Sequence, residues 1–174
     1  MSVPVIETAR LRLRGHARTD LDASAAMWGD PEVARFIGGR PATREEVWAR
    51  LMRYVGMWPV LGYGYWLIEE KATGGFVGEI GFMDALRDIT PSLEGLPEHG
   101  WALSAAAQGK GYASEAVEAT LAWGAGHFRP FEPVCMISPE NAPSIKLARK
   151  FGYREYAHTS YKGAPTILYR RAAG

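Results

Sequence analysis

The hydrophobic period switches repeatedly along the chain, between two residues and about 3.6, and that switching limits the fold to strands packed with helices. IETARLRLRG alternates Leu11 and Leu13 with Arg10, Arg12 and Arg14, the pattern of a strand with one wet face. TREEVWARLMRYVGMW opens on Thr43, carries acids in its first turn and sets Val47, Leu51, Tyr54 and Trp58 on one side of a helix. GYGYWLIEE and FVGEIGFMD are aromatic and β-branched runs separated by KATGG, which predicts a hairpin with a glycine-rich turn. Residues 99 to 104 read as a short strand, 112 to 128 as a helix, PVCMI as a strand, and PSIKLARKF as a helix closed by Gly152. YREYAHTS and PTILYR complete the sheet. No internal repeat, low-complexity tract or long linker interrupts the chain, so residues 1–174 are expected to form a single α/β (α+β) domain with a mixed sheet.

Charge balance narrows the partners. Twenty Lys plus Arg stand against nineteen Asp plus Glu, a net charge of +1. No global field draws such a chain to nucleic acid or to an anionic membrane, so neither is expected as a partner and any ligand is recognised locally. No apolar run approaches the ~20 residues needed to span a bilayer. The opening MSVPVIETARLRLRG has charges where a signal peptide needs an apolar core, and the single Cys135 cannot form an internal disulfide. A reducing cytoplasm is the expected location. No metal ligand set is assigned.

One stretch carries chemistry. HGWALS enters AAAQGKGYASEA as a strand, and a helix leaves it with Ala113, Val117, Leu121, Gly124 and Phe128 on one stripe. A strand, a glycine loop and a helix start make an anion site: the first helical N–H groups have no internal partners, and glycine lets phosphate oxygens approach without a Cβ in the way. Lys110 adds a full charge. The plainer alternative is that Gly109 and Gly111 only make a tight connection. Two familiar phosphate loops fail on spacing. Lys110 is followed by Gly111 where a P-loop needs Ser or Thr, and Ser114 stands where the dinucleotide fingerprint wants a third Gly or an Ala.

Gln108, Gly111 and Ala113 match the Gln or Arg, two residues, Gly, one residue, Gly or Ala pattern of an acetyl-CoA loop, and PENAPSIKLARKFGY adds a second block with Asn, two residues, Ser and an apolar helix ending in Gly and an aromatic. With ETARLRLR, DPEVARFIGG, FVGEIGF and EHGWAL, these blocks make the chain resemble the GNAT acyltransferase superfamily, in its ribosomal-protein N-acetyltransferase (RimJ/RimL-like) branch, from Glu7 to Tyr153. The resemblance implies a bent mixed sheet of about six or seven strands with about four helices, splayed between its fourth and fifth strands, residues 99 to 104 and PVCMI. It implies acetyl-CoA as cofactor and coenzyme A as product. The pyrophosphate would lie on the backbone amides of Gln108, Gly109, Lys110, Gly111, Tyr112, Ala113 and Ser114. Leu103 and Ser104 would offer backbone groups to the pantetheine arm, which Asn141 would also bind. Asn141 is equally suited to cap the helix that follows it. Cys135 reads as a core residue.

The implied chemistry is N-acetylation of a primary amine by direct attack in a ternary complex. A backbone N–H near Leu103 would serve the developing oxyanion. Glu98 is the expected base, at the position where this branch usually carries Glu, with His99 as its rival because strand alternation turns only one of the two inward. The wider family often has Tyr seven residues after the Asn. Here that position is Ala148, and Ser144, one turn earlier, becomes the candidate for a hydrogen bond to the cofactor sulfur. The insert ALRDITPSLEGLP would shape the acceptor site, with Asp84, Asp88, Glu94 and Glu98 able to attract a cationic amine. A peptide N-terminus and a small-molecule amine both remain open as acceptors, as does an acyl-CoA sensor without turnover, and as do monomer and homodimer.

Overall fold

The amino-terminal run expected as one strand is two. In the computed structural model, which describes residues 2–173, β1 (Ile6–Glu7) and β2 (Leu11–Arg14) pair antiparallel, with Ile6 opposite Leu13. The Thr8 hydroxyl makes the break by accepting the Leu11 N–H at 2.9 Å, a local bond that competes with the strand ladder. Beyond the turn the alternation holds: Leu11 and Leu13 are buried and Arg12 is exposed.

The described chain gathers into two compact units. The first runs to Gly81 and takes in Trp101–Thr120; the second comprises Phe82–Gly100 and the chain from Leu121 onward. In the first unit β2 pairs with β3 (Tyr65–Glu70), and β3 with β4 (Phe76–Met83), both antiparallel, the hairpin predicted around KATGG. Strand β5 (Glu98–Leu103) follows β4 there, its exit fixed by the Ser104 N–H donating to the Val77 carbonyl at 2.9 Å. In the second unit β5 meets β6 (Val134–Ile137) in parallel, Glu98 opposite Val134. Strand β8 (Ala164–Arg170) pairs antiparallel with both β6 and β7 (Arg154–Tyr161). The open mixed α/β sheet therefore has eight strands among the described residues. The expectation of six or seven fell short because the Thr8 turn splits one run in two.

Five α-helices are described, α1 (Leu21–Trp28), α2 (Pro31–Ala34), α3 (Arg44–Leu61), α4 (Tyr112–His127) and α5 (Ala142–Lys150), one more than expected because α2 is a single turn. Thr43 and Glu46 start α3 with a reciprocal pair of bonds: Thr43 N–H donates to the Glu46 carboxylate at 2.8 Å, and Glu46 N–H to the Thr43 hydroxyl at 3.3 Å. Helix α5 starts at Asn141, whose side chain accepts the Ser144 N–H at 3.2 Å.

Each unit has its own core. In the first, Met27, Trp28, Val33, Val47 and Ala102 pack together, and large side chains buried this way contribute roughly 1.5–3 kcal/mol each. A charged cluster lies beside them. The Glu79 carboxylate of β4, 2% exposed, accepts from Ser24 Oγ and Trp28 Nε1 of α1, both at 2.8 Å. His16 Nε2 stands 3.6 Å away. Burial pushes the Glu79 carboxyl upward, but His16, Trp28 and Ser24 outweigh it and hold it below the ordinary value. In the second unit Ile89 and Leu93 of the long β4–β5 connection cover Val134 and Leu168. No helix among the described residues is long and apolar enough to cross a membrane.

Candidate functional site

The first unit brings the expected phosphate loop together. After β5 the chain makes a 3-10 turn over Ala105–Ala107, passes Gly109 at φ +75° and Gly111 at φ +80°, and enters α4 at Tyr112. Both glycines occupy the left-handed region that L side chains rarely adopt, so glycine is required by the backbone on either side of Lys110. Lys110, between them, is exposed. Gln108 Nε2 folds back onto the Leu103 carbonyl at 3.3 Å. Ser104 uses its N–H on Val77, and its carbonyl accepts from Ala107 N–H at 2.9 Å. The contact with β4 therefore commits the Ser104 N–H within the protein, the 3-10 turn takes one bond of its carbonyl, and the remaining acceptor capacity lies on the carbonyl's second lone pair and the hydroxyl.

The loop is held from outside by residues to which sequence reasoning gave no part. Glu115, in the first turn of α4, accepts from the Thr8 hydroxyl at 2.6 Å, from Arg10 N–H at 2.8 Å and from Arg10 Nε at 2.7 Å. Arg10 Nη1 donates to the Lys110 carbonyl at 2.9 Å, and the guanidinium lies 4.6 Å from the centre of the Tyr112 ring. The Tyr112 hydroxyl donates to Glu70. A cavity of about 100 Å³ opens beside this cluster, lined by Glu70, Phe76, Val77, Ser104, Lys110 and Tyr112 among others. The guanidinium offsets the carboxylate. Burial pushes the Glu115 carboxyl up, but Thr8 and the Arg10 N–H groups outweigh it, and the net shift is downward. The only local signal was ETARLRLR itself.

The second unit holds Glu98, Asn141 and Ser144. Glu98 is buried, and Arg87 from the β4–β5 connection donates to both its oxygens, Nε at 2.6 Å and Nη2 at 2.7 Å. That pair holds the Arg87 guanidinium's pKa above its ordinary value against the opposing effect of burial. Each Glu98 oxygen keeps a second lone pair, so a proton from an amine would be taken against the opposing Arg87 charge. His99 is also buried, 1% exposed, stacked on Phe82 and with Nδ1 2.8 Å from the Tyr153 hydroxyl. The expectation that only one of the two would turn inward is corrected: alternation sends them to opposite faces, but both faces are covered at this position. Asn141 is the cap of α5, and Ser144 lies in that helix's first turn, partly exposed. Ala148, where the wider family places Tyr, is fully buried. Cys135 is buried and its thiol is pushed up by that burial, as a core residue's would be. Of the acids named for attracting a cation, Asp84 accepts from the Leu86 and Gly95 N–H groups and keeps its charge, whereas Glu98 is neutralised by Arg87.

Burial drives the His99 imidazole down to about 3. An unfolded His titrates near 6.5, so the folded state gives up protons that the unfolded chain binds. Stability is then complete above pH ~6.5 and is lost as pH falls toward 3, by up to about 1.4 kcal/mol per pH unit. Melting temperatures between pH 7 and pH 5 should fall less steeply in His99→Gln than in the parent chain. Parallel profiles would show that His99 is not held neutral.

Known proteins carry the same pattern. The family model described as acetyltransferase (GNAT) domain matches residues 10–154. An uncharacterised N-acetyltransferase of Bacillus licheniformis, p20, is 28% identical over 149 residues, covering 85% of this chain and 81% of that one. A solved structure from Bordetella pertussis, assigned to the GnaT family, is 32% identical with a TM-score of 0.85, covering 97% of this chain and 99% of its own. RimL, a ribosomal L7/L12 α-N-protein acetyltransferase solved in complex with coenzyme A, shares the fold at a TM-score of 0.77 and 16% identity, covering 97% of each chain. A family match over residues 10–154, together with whole-length likeness at 32% identity, places this chain in the GNAT family as an acetyltransferase.

Proposed function

We propose that the protein is an acetyl-CoA-dependent N-acetyltransferase acting on a primary amine by direct attack in a ternary complex, with residues 1–174 working as one acetyltransferase domain in the cytoplasm. The observation that carries this reading is the loop: two left-handed glycines, an exposed lysine and the start of a sixteen-residue helix, braced by Arg10. GNAT acetyltransferases use acetyl-CoA, and the backbone amides of Gln108 to Ser114 would hold its pyrophosphate, with Lys110 as an added cation. Leu103, Ser104 and Asn141 are the proposed pantetheine contacts. The cofactor supplies an activated acetyl thioester.

This chain's residues would supply the proton chemistry. Glu98 would accept the amine proton on a lone pair that Arg87 leaves open, and Ser144 would donate a hydrogen bond toward the sulfur of the departing thiol. A backbone N–H near Leu103 would meet the oxyanion. Glu98→Gln should lower kcat by about 100-fold, the lower end for a general base, with KM for acetyl-CoA unchanged. It should also lower the melting temperature, because Arg87 loses its anion. Loss of stability with turnover intact would make Glu98 a structural residue only.

For the acceptor, RimL's action on a protein α-amine makes a peptide N-terminus the first class to screen. Its α-amine, with an ordinary pKa near 8, needs less base assistance than a lysine-like amine near 10.4. Small amines form the second class. The test is a calorimetric titration with acetyl-CoA, with ATP and NAD as controls, followed by an amine screen read by thiol release. Selective acetyl-CoA binding with a Kd of about 1 μM to 1 mM, the range in which most enzymes meet their substrates, supports the reading. Equal binding of a control, or of none of the three, overturns it.

A further inference from the structure

Arg10 does more at the loop than one residue of a wet strand face needs to do. Its backbone N–H and Nε both bind Glu115, its Nη1 binds the Lys110 carbonyl, and its guanidinium rests against the Tyr112 ring. Its Nη2 lies 3.3 Å from where a Cβ on Gly111 would stand. A single planar cation thus touches the residue between the glycines and the first and fourth residues of the helix, and stands beside the second glycine. Roughly half its side chain remains exposed.

Electrostatics explains why such a cation is wanted. A carboxylate in the first turn of a helix is favourable in an empty protein, because it answers the helix dipole. It is unfavourable beside a bound phosphate, which seeks the same end of the same helix. Glu115 is that carboxylate, and Glu70, bound by Tyr112 and Thr73, is a second one nearby. Arg10 is placed to cancel Glu115, and the loop group its side chain hydrogen-bonds is a carbonyl, not an amide N–H. The fork shape matters: Nε and Nη1 point along different directions, and one ammonium cannot satisfy both partners while stacking on Tyr112.

We propose that Arg10 is a positioning residue for the cofactor loop, fixing the Lys110–Gly111 backbone and neutralising Glu115 so that the helix start presents net positive character to the phosphates of acetyl-CoA. This rests on the loop reading given above. It also predicts that Arg10 serves only the phosphate-bearing half of the cofactor.

The experiment compares acetyl-CoA with S-acetylpantetheine, which has the thioester and arm but no phosphates, by calorimetric titration of the parent chain and of Arg10→Ala, Arg10→Lys and Arg10→Ala/Glu115→Gln. Arg10→Ala should weaken acetyl-CoA by about 10- to 100-fold, the range for a lost charge-assisted bond, and leave S-acetylpantetheine unchanged. Adding Glu115→Gln should recover about fivefold, because the uncompensated carboxylate is gone. Arg10→Lys should fall between the parent and Arg10→Ala, and it keeps the comparison available if the alanine variant unfolds. A merely structural Arg10 would give the opposite sign in the double variant, with further loss. Should the parent prefer acetyl-CoA while Arg10→Ala and Arg10→Lys lose nothing, or lose affinity for both ligands alike, the assignment of Arg10 is overturned and the loop reading stands. A parent that binds the two ligands equally overturns both.

Discussion

Gly78→Ala is expected to cost the fold about 3 kcal/mol and to lower the melting temperature by about 6–12 °C, at the 2–4 °C per kcal/mol usual for a chain of this length. A methyl group on Gly78 would land on the carbonyl oxygen of Ala102 and within 2.8 Å of Leu103 Cα. Both are backbone atoms of β5, so no rotamer change can make room, and the strand itself must move. Strand β4 approaches β5 this closely because Gly78 has no side chain on the facing side. Displacing Leu103 should also weaken acetyl-CoA binding, if the proposed pantetheine contact is made there. Differential scanning calorimetry reads the first effect and titration the second. An unchanged melting temperature would mean that the two strands have slack that their spacing does not show.

The second large effect is on ligand binding. Gly111→Asp should raise the Kd for acetyl-CoA about 100-fold or more, a change of about 2.7 kcal/mol. Three causes act together. At φ +80° an L residue is strained by about 1–3 kcal/mol. The new carboxylate would occupy the place proposed for phosphate oxygens and repel them. It would also stand close enough to Arg10 Nη2 to draw that guanidinium away from Glu115. The strain should lower the melting temperature by about 2–12 °C, so titration below the variant's transition separates loss of binding from loss of fold. Unchanged affinity would remove the amides of this loop from the cofactor site.

What could be read from the sequence was local. The Thr43 start of α3 and its stripe of Val47, Leu51, Tyr54 and Trp58 lie within five turns of one helix, and all four side chains are buried as the 3.6 period predicts. The glycine loop was legible for the same reason, since its elements are adjacent in the chain. Glu98 was legible as a position but not as a state: Arg87 lies eleven positions upstream across irregular loop, and no periodicity reports on such a pair. Glu79 sits in an apolar strand, yet its partners Ser24 and Trp28 are 55 and 51 residues away. His99 meets Tyr153 across 54 residues. Pairings of that range are set by tertiary packing, and local periodicity carries no signal for them. The split of the first strand was missed differently, because one threonine hydroxyl outbid a short ladder that the alternation alone favours.

The bonds from Thr8 and Arg10 to Glu115 span 107 and 105 residues, and protein synthesis runs in one direction. At the usual elongation rate of about 5–20 residues per second, the amino-terminal turn waits roughly 5–20 s for its partner to be made. Until then Arg10 is an unpaired cation at the head of an unfinished chain, and the cost of closing so long a loop must be met by strands β2 to β4 already in register. Order at the glycine loop therefore arrives late on the ribosome, more than 100 residues after Arg10 has been added.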